Sequence, residues 1–516
     1  MSALASELSL PPVRRTAGGQ LSELIRARSA ALGAQSYVEH ARADRGLTFT
    51  DLERAVDGWG DTLEQRGVAP GSTVGLVIAD PIDFSVAFLG TIASGRWAAP
   101  LDPSTPASGL DAALARVQAH IVFSDQPTTP SGLRAEWVDR ARTPSTQWSN
   151  EEVPGGAVLA SSGTTGVPKV IPLHQGRLLH TARRVSDHHR LTPSDRGFNP
   201  LPLFHINAEV VGLLASLVAG SCLVLDDRFH RTRFWALMAE RRITWINAVP
   251  AIISRLATPD LDEVIPSRIR FIRSASAPLP VATSTRFEAN TGIPVVETYG
   301  MTEAASQITA NPVTGVRKPG SVGLPVGVEV RVVGESATPE RPPVPGGSIG
   351  EVEIRGPSVI AAYAGHHHGD RIDAQGWLRT GDLGHFDEDG YLYLDSRTDD
   401  VINRGGEKVF PREIEELILA DPDVEGVAVV GSPDHELGQV PVAYVVLRGL
   451  EDDADIDVAA QVTARLRDRL AVALVRSKRP VSLSVVRALP AGATGKVRRR
   501  ALRDSDIPAV YHLDCR

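Results

Sequence analysis

The sequence predicts an α/β protein: a large N-terminal domain of α/β sheets with a β-rich subdomain, followed by a small α+β C-terminal domain. Three observations carry this reading. From about residue 20 to 330, short β-rich runs alternate with longer helical stretches. Those runs are continuously apolar rather than alternating, as parallel strands covered on both faces must be. From about residue 320 the chain turns to short strands between Gly/Pro turns, and past Arg397 its rhythm changes again.

In chain order, Thr73-Val74-Gly75-Leu76-Val77-Ile78 reads as a buried strand, and a helix follows from about Asp83 to Ser94. The runs His120 to Phe123, Ala157 to Ala160, Ser221 to Leu225, Thr244 to Ala248 and Ile269 to Ile272 repeat the strand theme. Glu351 to Arg355 and Gly390 to Leu394 represent the β-rich part. Beyond the junction come a helix from Pro411 to Ala420, strands Gly426 to Val430 and Val440 to Leu447, a charged helix over Ile456 to Leu474, and a strand Val481 to Val486. Residues 451 to 457 read as a solvated acidic loop. The domains expected are therefore 1–397 and 398–516. No internal repeat or low-complexity tract is visible.

A chain of 516 residues exceeds one ordinary core. Its net charge of −8 gives no general attraction to nucleic acid or an anionic membrane. Two cysteines, Cys222 and Cys515, supply neither a disulfide framework nor a Cys-rich zinc site, which suits a reducing compartment. Met1 to Arg15 lacks the cationic stretch and apolar core of a secretory signal. The longest apolar run, Val210 to Leu225, is broken by Gly212, Gly220 and two serines. It falls short of the roughly 18 residues of a membrane span. A cytoplasmic location is expected.

Chemistry concentrates first in Ser161-Ser162-Gly163-Thr164-Thr165-Gly166-Val167-Pro168-Lys169, directly after the apolar run Ala157 to Ala160. Such a loop offers backbone N–H groups, hydroxyls and one cation to a polyphosphate. The Gly-x4-Gly-Lys-Ser/Thr spacing is absent, so this is not a P-loop. The loop resembles the phosphate-binding signature of the adenylate-forming superfamily: acyl-CoA synthetases, luciferases and nonribosomal adenylation domains. Companion segments follow in family order. Pro202-Leu203-Phe204-His205 is similar to the acyl-pocket motif, and Tyr299-Gly300-Met301-Thr302-Glu303 to the adenine and magnesium motif. Trp377-Leu378-Arg379-Thr380-Gly381-Asp382 and Asp395-Ser396-Arg397 are similar to the ribose motifs. Arg404-Gly405-Gly406-Glu407-Lys408 and Thr494-Gly495-Lys496 are similar to the two C-terminal motifs.

The resemblance implies an ATP-dependent ligase that joins a carboxylate to the α-phosphate, releases pyrophosphate and passes the acyl group to coenzyme A. Ser161, Ser162, Gly163, Thr164, Thr165, Gly166 and Lys169 would hold the phosphates, and Ser276, Ala277, Tyr299 and Gly300 the adenine. Asp382 and Arg397 would hold the ribose, Thr302 the α-phosphate, and Glu303 a Mg2+ ion, the hard cation that pairs with phosphate oxygens. Lys496 would meet the substrate carboxylate and the α-phosphate together. At about 4 Å and an effective dielectric near 20, one such charge is worth roughly 4 kcal/mol. In the family the C-terminal domain is mobile and swings after adenylation; the hinge position matches Asp399, and Gly405 and Gly406 would line the pantetheine tunnel. Arg476 to Arg479 and Arg498 to Arg500 either meet the coenzyme A phosphates or form a solvated basic face. His205 would shape the acyl site. His366-His367-His368 reads as a surface loop, and His174 has no assigned role.

For the acid, Phe271 to Ala277, Gln307 with Asn311-Pro312, Arg317 to Gly323 and Val401 to Lys408 are closest in motif to the oxalyl-CoA synthetase branch. The acyl pocket departs from it. Asn207 and Ser306 stand where that branch tends to carry histidines, with His205, Glu209 and Ser274 in the same pocket. If Glu209 faces inward its charge would disfavour a dianion and suit an amine or phenol; if it faces solvent it has no such effect. The substrate expected is a small polar carboxylic acid. The alternative acceptor is a carrier protein or an amine, including diazotase-type activation of nitrite toward an aryl amine. Monomer and homodimer both remain open.

Overall fold

The computed structural model describes residues 19–125, 134–137, 148, 154–161, 169–259, 263–334, 341–364, 371–449, 456–490, 497–504 and 507–515. Among these, the largest sheet has a parallel centre. The strands Val295–Met301, Phe271–Ser274, Trp245–Ala248, Arg196–Asn199, Cys222–Leu225 and Ser36–His40 lie side by side in that order, every pair parallel. The short strand Gly46–Thr48 closes one edge antiparallel. These central strands are buried throughout Trp245–Ala248, Phe271–Ser274 and Cys222–Leu225, which is why their sequences carry no polar alternation.

A second sheet places Arg134–Trp137, Ile121–Ser124, Thr73–Val77, Trp97–Pro100, Gly156–Ser161 and Lys169–His174 in that order. Its helix Pro81–Ala93 begins where Asp80 accepts from the N–H groups of Ile82 and Asp83, with Pro81 in the first turn. The stretch after residue 320 is β-rich as expected, but it is not a separate sheet. Ser306–Ala310, Ser321–Pro325, Leu392–Arg397, Leu378–Phe386, Gly350–Arg355 and Glu329–Val333 extend the large sheet antiparallel from Val295–Met301.

The apolar run Val210 to Leu225 is composite. A π-helix Asn207–Leu214 runs into a short α-helix Ala215–Ala219; Gly220 turns the chain at φ +71° and Cys222–Leu225 follows as a strand. In a π-helix residues five apart share a face. Asn207 accordingly faces Arg273, and a Cβ on Gly212 would stand 3.7 Å from Asn199 on the same side.

The third sheet is C-terminal: Glu407–Val409, Ile402–Arg404, Gly438–Leu447, Ser482–Val485 and Tyr511–Asp514, with Val424–Asp434 also paired to Gly438–Leu447. The helices Pro411–Leu419 and Ile456–Ala473 cover it. Ile456 and Asp457 belong to that second helix rather than to an acidic loop; residues 450–455 lie outside the described residues. One apolar core runs from Leu21 to Leu392 and a second begins at Ile402. Few polar bonds join them. Arg412 donates to the carbonyls of Leu394 (2.7 Å) and Gly320 (3.4 Å), and Glu416 accepts from the Val281 N–H (3.2 Å). No helix among the described residues is long and apolar enough to cross a membrane.

Candidate active site

Ligands of open parallel sheets sit beyond the carboxyl ends of the strands. Here those ends carry the polar residues: Ser161, Asn199, Asn247, Arg273 and Ser274 close four parallel strands, and the Tyr299–Glu303 segment closes a fifth. The backbone of Ser161 ends its strand, paired with Lys169, while its side chain and residues 162–168 lie outside the described residues. The same holds for Thr494, Gly495 and Lys496, and for His366 to His368.

Lys169 opens the return strand with its Nζ 4.9 Å over the Tyr363 ring. Burial, with Arg371 and Arg397 nearby, holds its pKa below the usual lysine value, while Glu303 and Asp399 pull the other way. Those five groups therefore share one neighbourhood, although they come from four separate stretches of sequence. Tyr363 donates to Glu303 Oε1 at 3.0 Å. Glu303 lies on the turn Thr302–Ala304, nearly buried, and its backbone carbonyl accepts from the Ile360 N–H. One carboxylate beside a lysine suits a Mg2+ ion, which takes one or two protein carboxylates and completes its shell from water and phosphate.

Asp382 is buried between two donors. Tyr299 Oη donates to Oδ2, and Arg397 Nη1 lies 3.2 Å from Oδ1. Burial and then the Asp382 charge push the Tyr299 phenol well above its ordinary pKa, so it remains a donor. Gly381 makes this possible: at φ +77°, a Cβ there would come within 2.8 Å of Arg371 Nη2 and 3.3 Å of Arg397 Nη2. Gly300 is equally constrained, because its Cβ would meet the Ser306 carbonyl at 1.7 Å. Ser276 (φ +73°) and Ala277 follow the Phe271–Ser274 strand, the first at the surface and the second at half-burial. Asp399 is exposed on the turn Thr398–Asp400. Gly405 and Gly406 have positive φ, and a Cβ on Gly406 would meet no described atom within 4 Å.

On the acid side, Asn207, Ser274, Ser306 and Glu209 are all buried. Asn207 Oδ1 accepts from Arg273 Nη1 at 2.8 Å. His205 packs against Phe204 at 4.6 Å between ring centres, and burial holds its pKa down. Glu209 does not face solvent: its exposure is 0%, and neither carboxylate oxygen has a hydrogen-bond partner. Burial pushes its pKa well above the carboxylate range, which favours the neutral acid and weakens the charge argument against a dianionic substrate. Two other expectations also change. Arg499 points inward, to Glu415 and the Val429 carbonyl, and is not part of a solvated basic face. His174 caps the helix Gln175–His189, accepting from the Gly176 N–H.

Sequence reasoning missed Tyr363, Arg371 and Arg273. Tyr363 and Arg371 flank the His-rich loop, whose histidines drew the attention. Arg273 carried a signal of its own: it is a cation inside an otherwise apolar run.

This geometry agrees with the comparisons. Residues 27–364 match the family model for AMP-binding enzymes, and residues 413–496 match the model for the AMP-binding enzyme C-terminal domain. The chain is 36% identical over 506 residues to a sulfoacetate–CoA ligase of Cupriavidus necator, covering 93% of this chain and 97% of that enzyme. It is 33% identical to an oxalate–CoA ligase of Arabidopsis thaliana, covering 85% and 89%. The ATP-bound crystal structure of MatB from Rhodopseudomonas palustris superposes with a TM-score of 0.80 at 27% identity, over 94% of this chain and 98% of that one. The chain belongs to the AMP-binding enzyme family, within the adenylate-forming superfamily. It is an enzyme of the AMP-forming acid–CoA ligase class or a related adenylate-forming ligase.

Proposed function

We propose that this protein adenylates a small polar carboxylic acid with ATP and transfers the acyl group to coenzyme A. The observation that carries the reading is the convergence of Lys169, Glu303, Asp382 and Arg397 in one neighbourhood. In the first half-reaction a carboxylate oxygen attacks the α-phosphorus, the bond to the β-phosphate oxygen breaks and pyrophosphate leaves. Lys169 and Arg371, close to one another, would take up the charge of that leaving group. Asp382 offers its remaining lone pairs to the ribose hydroxyls, with Arg397 and Tyr299 fixing the carboxylate's orientation. Glu303 would hold Mg2+, whose charge would draw electron density from the phosphates. In the second half-reaction the coenzyme A sulfur attacks the acyl carbon and AMP departs.

Two domains, 1–397 and 398–516, with Asp399 as the hinge, are supported by apolar cores that stay on one side of the junction and by the sparse polar bonds across it. Relatives named for sulfoacetate and oxalate support a small polar acid as substrate. Two features would suit nitrite or amine chemistry, a compact polar pocket and a charged Glu209, and the burial of Glu209 weakens the second.

The test follows pyrophosphate release with ATP and a panel of small acids, and thioester formation by mass. Lys496→Ala should lower adenylation about a thousandfold, the worth of one well-placed charge, while sparing thiol attack on preformed acyl-adenylate. Equal loss of both half-reactions would overturn the role given to Lys496.

A further inference from the structure

The strands that form the floor of the acid site carry a polar ladder. Asn199 Nδ2 donates to the Leu201 carbonyl (3.0 Å), and Asn247 Nδ2 donates to Asn199 Oδ1 (2.9 Å). Arg273 Nη1 then donates to Asn247 Oδ1 (3.2 Å) and to Asn207 Oδ1 (2.8 Å), and Nη2 donates to Gln307 Oε1 (3.3 Å). Every one of these side chains is buried, Arg273 to 1% exposure. Asn207, Asn247 and Gln307 each turn the amide oxygen to the guanidinium, the orientation that avoids setting N–H against N–H.

The ladder is satisfied at one end and open at the other. Asn199 and Asn247 have partners for their amide nitrogens. Among the described residues, Asn207 Nδ2, Gln307 Nε2 and Arg273 Nε have none. All three orphans are donors, and all belong to the guanidinium or to an amide bonded directly to it. No carboxylate among the described residues forms an ion pair with Arg273, and burial pulls its pKa down to about 9. A guanidinium has five N–H donors and here uses three. A buried charge with no counter-charge is costly, and buried donors with no acceptor add to that cost. An oxyanion would meet both deficits. Glu209, two residues beyond Asn207, is held neutral and does not compete for the role.

We propose that Arg273, with Asn207 and Gln307, binds a second anionic group on the acid, so that the substrate is a short acid bearing an oxyanion at each end. This rests on the ligase reading for its first carboxylate. Carboxylate and sulfonate share the required chemistry: negative charge spread over oxygens that can accept from several N–H groups at once.

The test compares charged acids with uncharged isosteres at the distal end: oxalate against oxamate, malonate against malonamate, sulfoacetate against methylsulfonylacetate. Isothermal titration of the AMP-saturated protein gives affinity, and pyrophosphate release gives kcat/KM. At least one charged member should be preferred by about a hundredfold, the scale of a charge-assisted hydrogen bond left unmade, and the preferred pair identifies the anion. Arg273→Met should erase that preference, with ATP affinity as the check on folding. Asn207→Asp should also erase it, by giving Arg273 an internal carboxylate, and should raise the melting temperature. A merely structural arginine would not link those two changes. Wild-type protein that binds charged and uncharged members equally overturns the proposal, as does an Asn207→Asp protein that keeps the preference. Absence of pyrophosphate release with every acid would overturn the ligase reading alone, since the titrations still decide on Arg273.

Discussion

On the nucleotide side of the site, Asp382 already holds Tyr299 and Arg397, and Glu303 already accepts from Tyr363. On the acid side, Asn207, Gln307 and Arg273 keep donors with no acceptor, and the Glu209 carboxyl has no partner at all. Arg273 stands at the end of a parallel strand, whereas Asp382 and Arg397 come from the antiparallel strands that extend the same sheet. The nucleotide side would bind a ligand common to the family and can be assembled in advance, with lone pairs to spare. The acid side leaves its demands open. Pre-paired groups orient a ligand at little cost in the empty state, whereas open donors lower the stability of the empty protein and make it depend on what fills them.

The contrast can be broken first on the nucleotide side. Asp382→Asn keeps the shape but leaves Arg397 without its carboxylate, and the KM for ATP should rise about a hundredfold in pyrophosphate-release assays. Preference among acids should stay as it was. If that preference shifts as well, the two sides are not independent.

On the acid side, Glu209→Met removes an unpartnered buried carboxyl at similar volume and should stabilise the empty protein by about 1–3 kcal/mol near neutral pH. The sign with pH follows from burial. The folded state holds its proton at a pH where the unfolded chain has lost it, so wild-type stability falls as pH rises above the unfolded value of about 4.3. Denaturant melts at pH 5 and pH 8 should show a slope from this group in the wild type and none in the variant. The smallest effect concerns support of Glu303. Tyr363→Phe deletes one hydrogen bond and should lower kcat about three- to tenfold, with little change in acid KM.

Much of the architecture could be read from the chain because it follows from burial. Continuous apolar runs such as Phe271-Ile272 and Trp245-Ile246 lie where both faces of a parallel sheet are covered. The helix from Pro411 announces itself by its amphipathic pattern and by proline in its first turn. Lys169, Glu303, Asp382 and Arg397 could be proposed from motif order, which encodes chemistry even where distance along the chain is large. The polar ladder could not, because it depends on register. Asn247 stands opposite Arg273, and Ile246 opposite Phe198, which brings Asn199 beside Asn247. One clue was present: each of three apolar runs ends in an amide or a guanidinium, as Phe198-Asn199, Ile246-Asn247 and Ile272-Arg273. The protonation of Glu209 was out of reach for another reason. Charge in a sequence is formal, and only the fold decides whether water is present to sustain it.

The π-helix Asn207–Leu214 makes the neighbouring wall sensitive to chain length. Its sheet-facing contacts, Asn207 and Gly212, are five residues apart, one more than an α-helix needs to bring two side chains onto one face. Deleting one residue between them would restore four-residue spacing while leaving both ends against the sheet. The wall of the acid pocket can therefore gain or lose a side chain through a change of length, without any substitution at the residues that face the substrate.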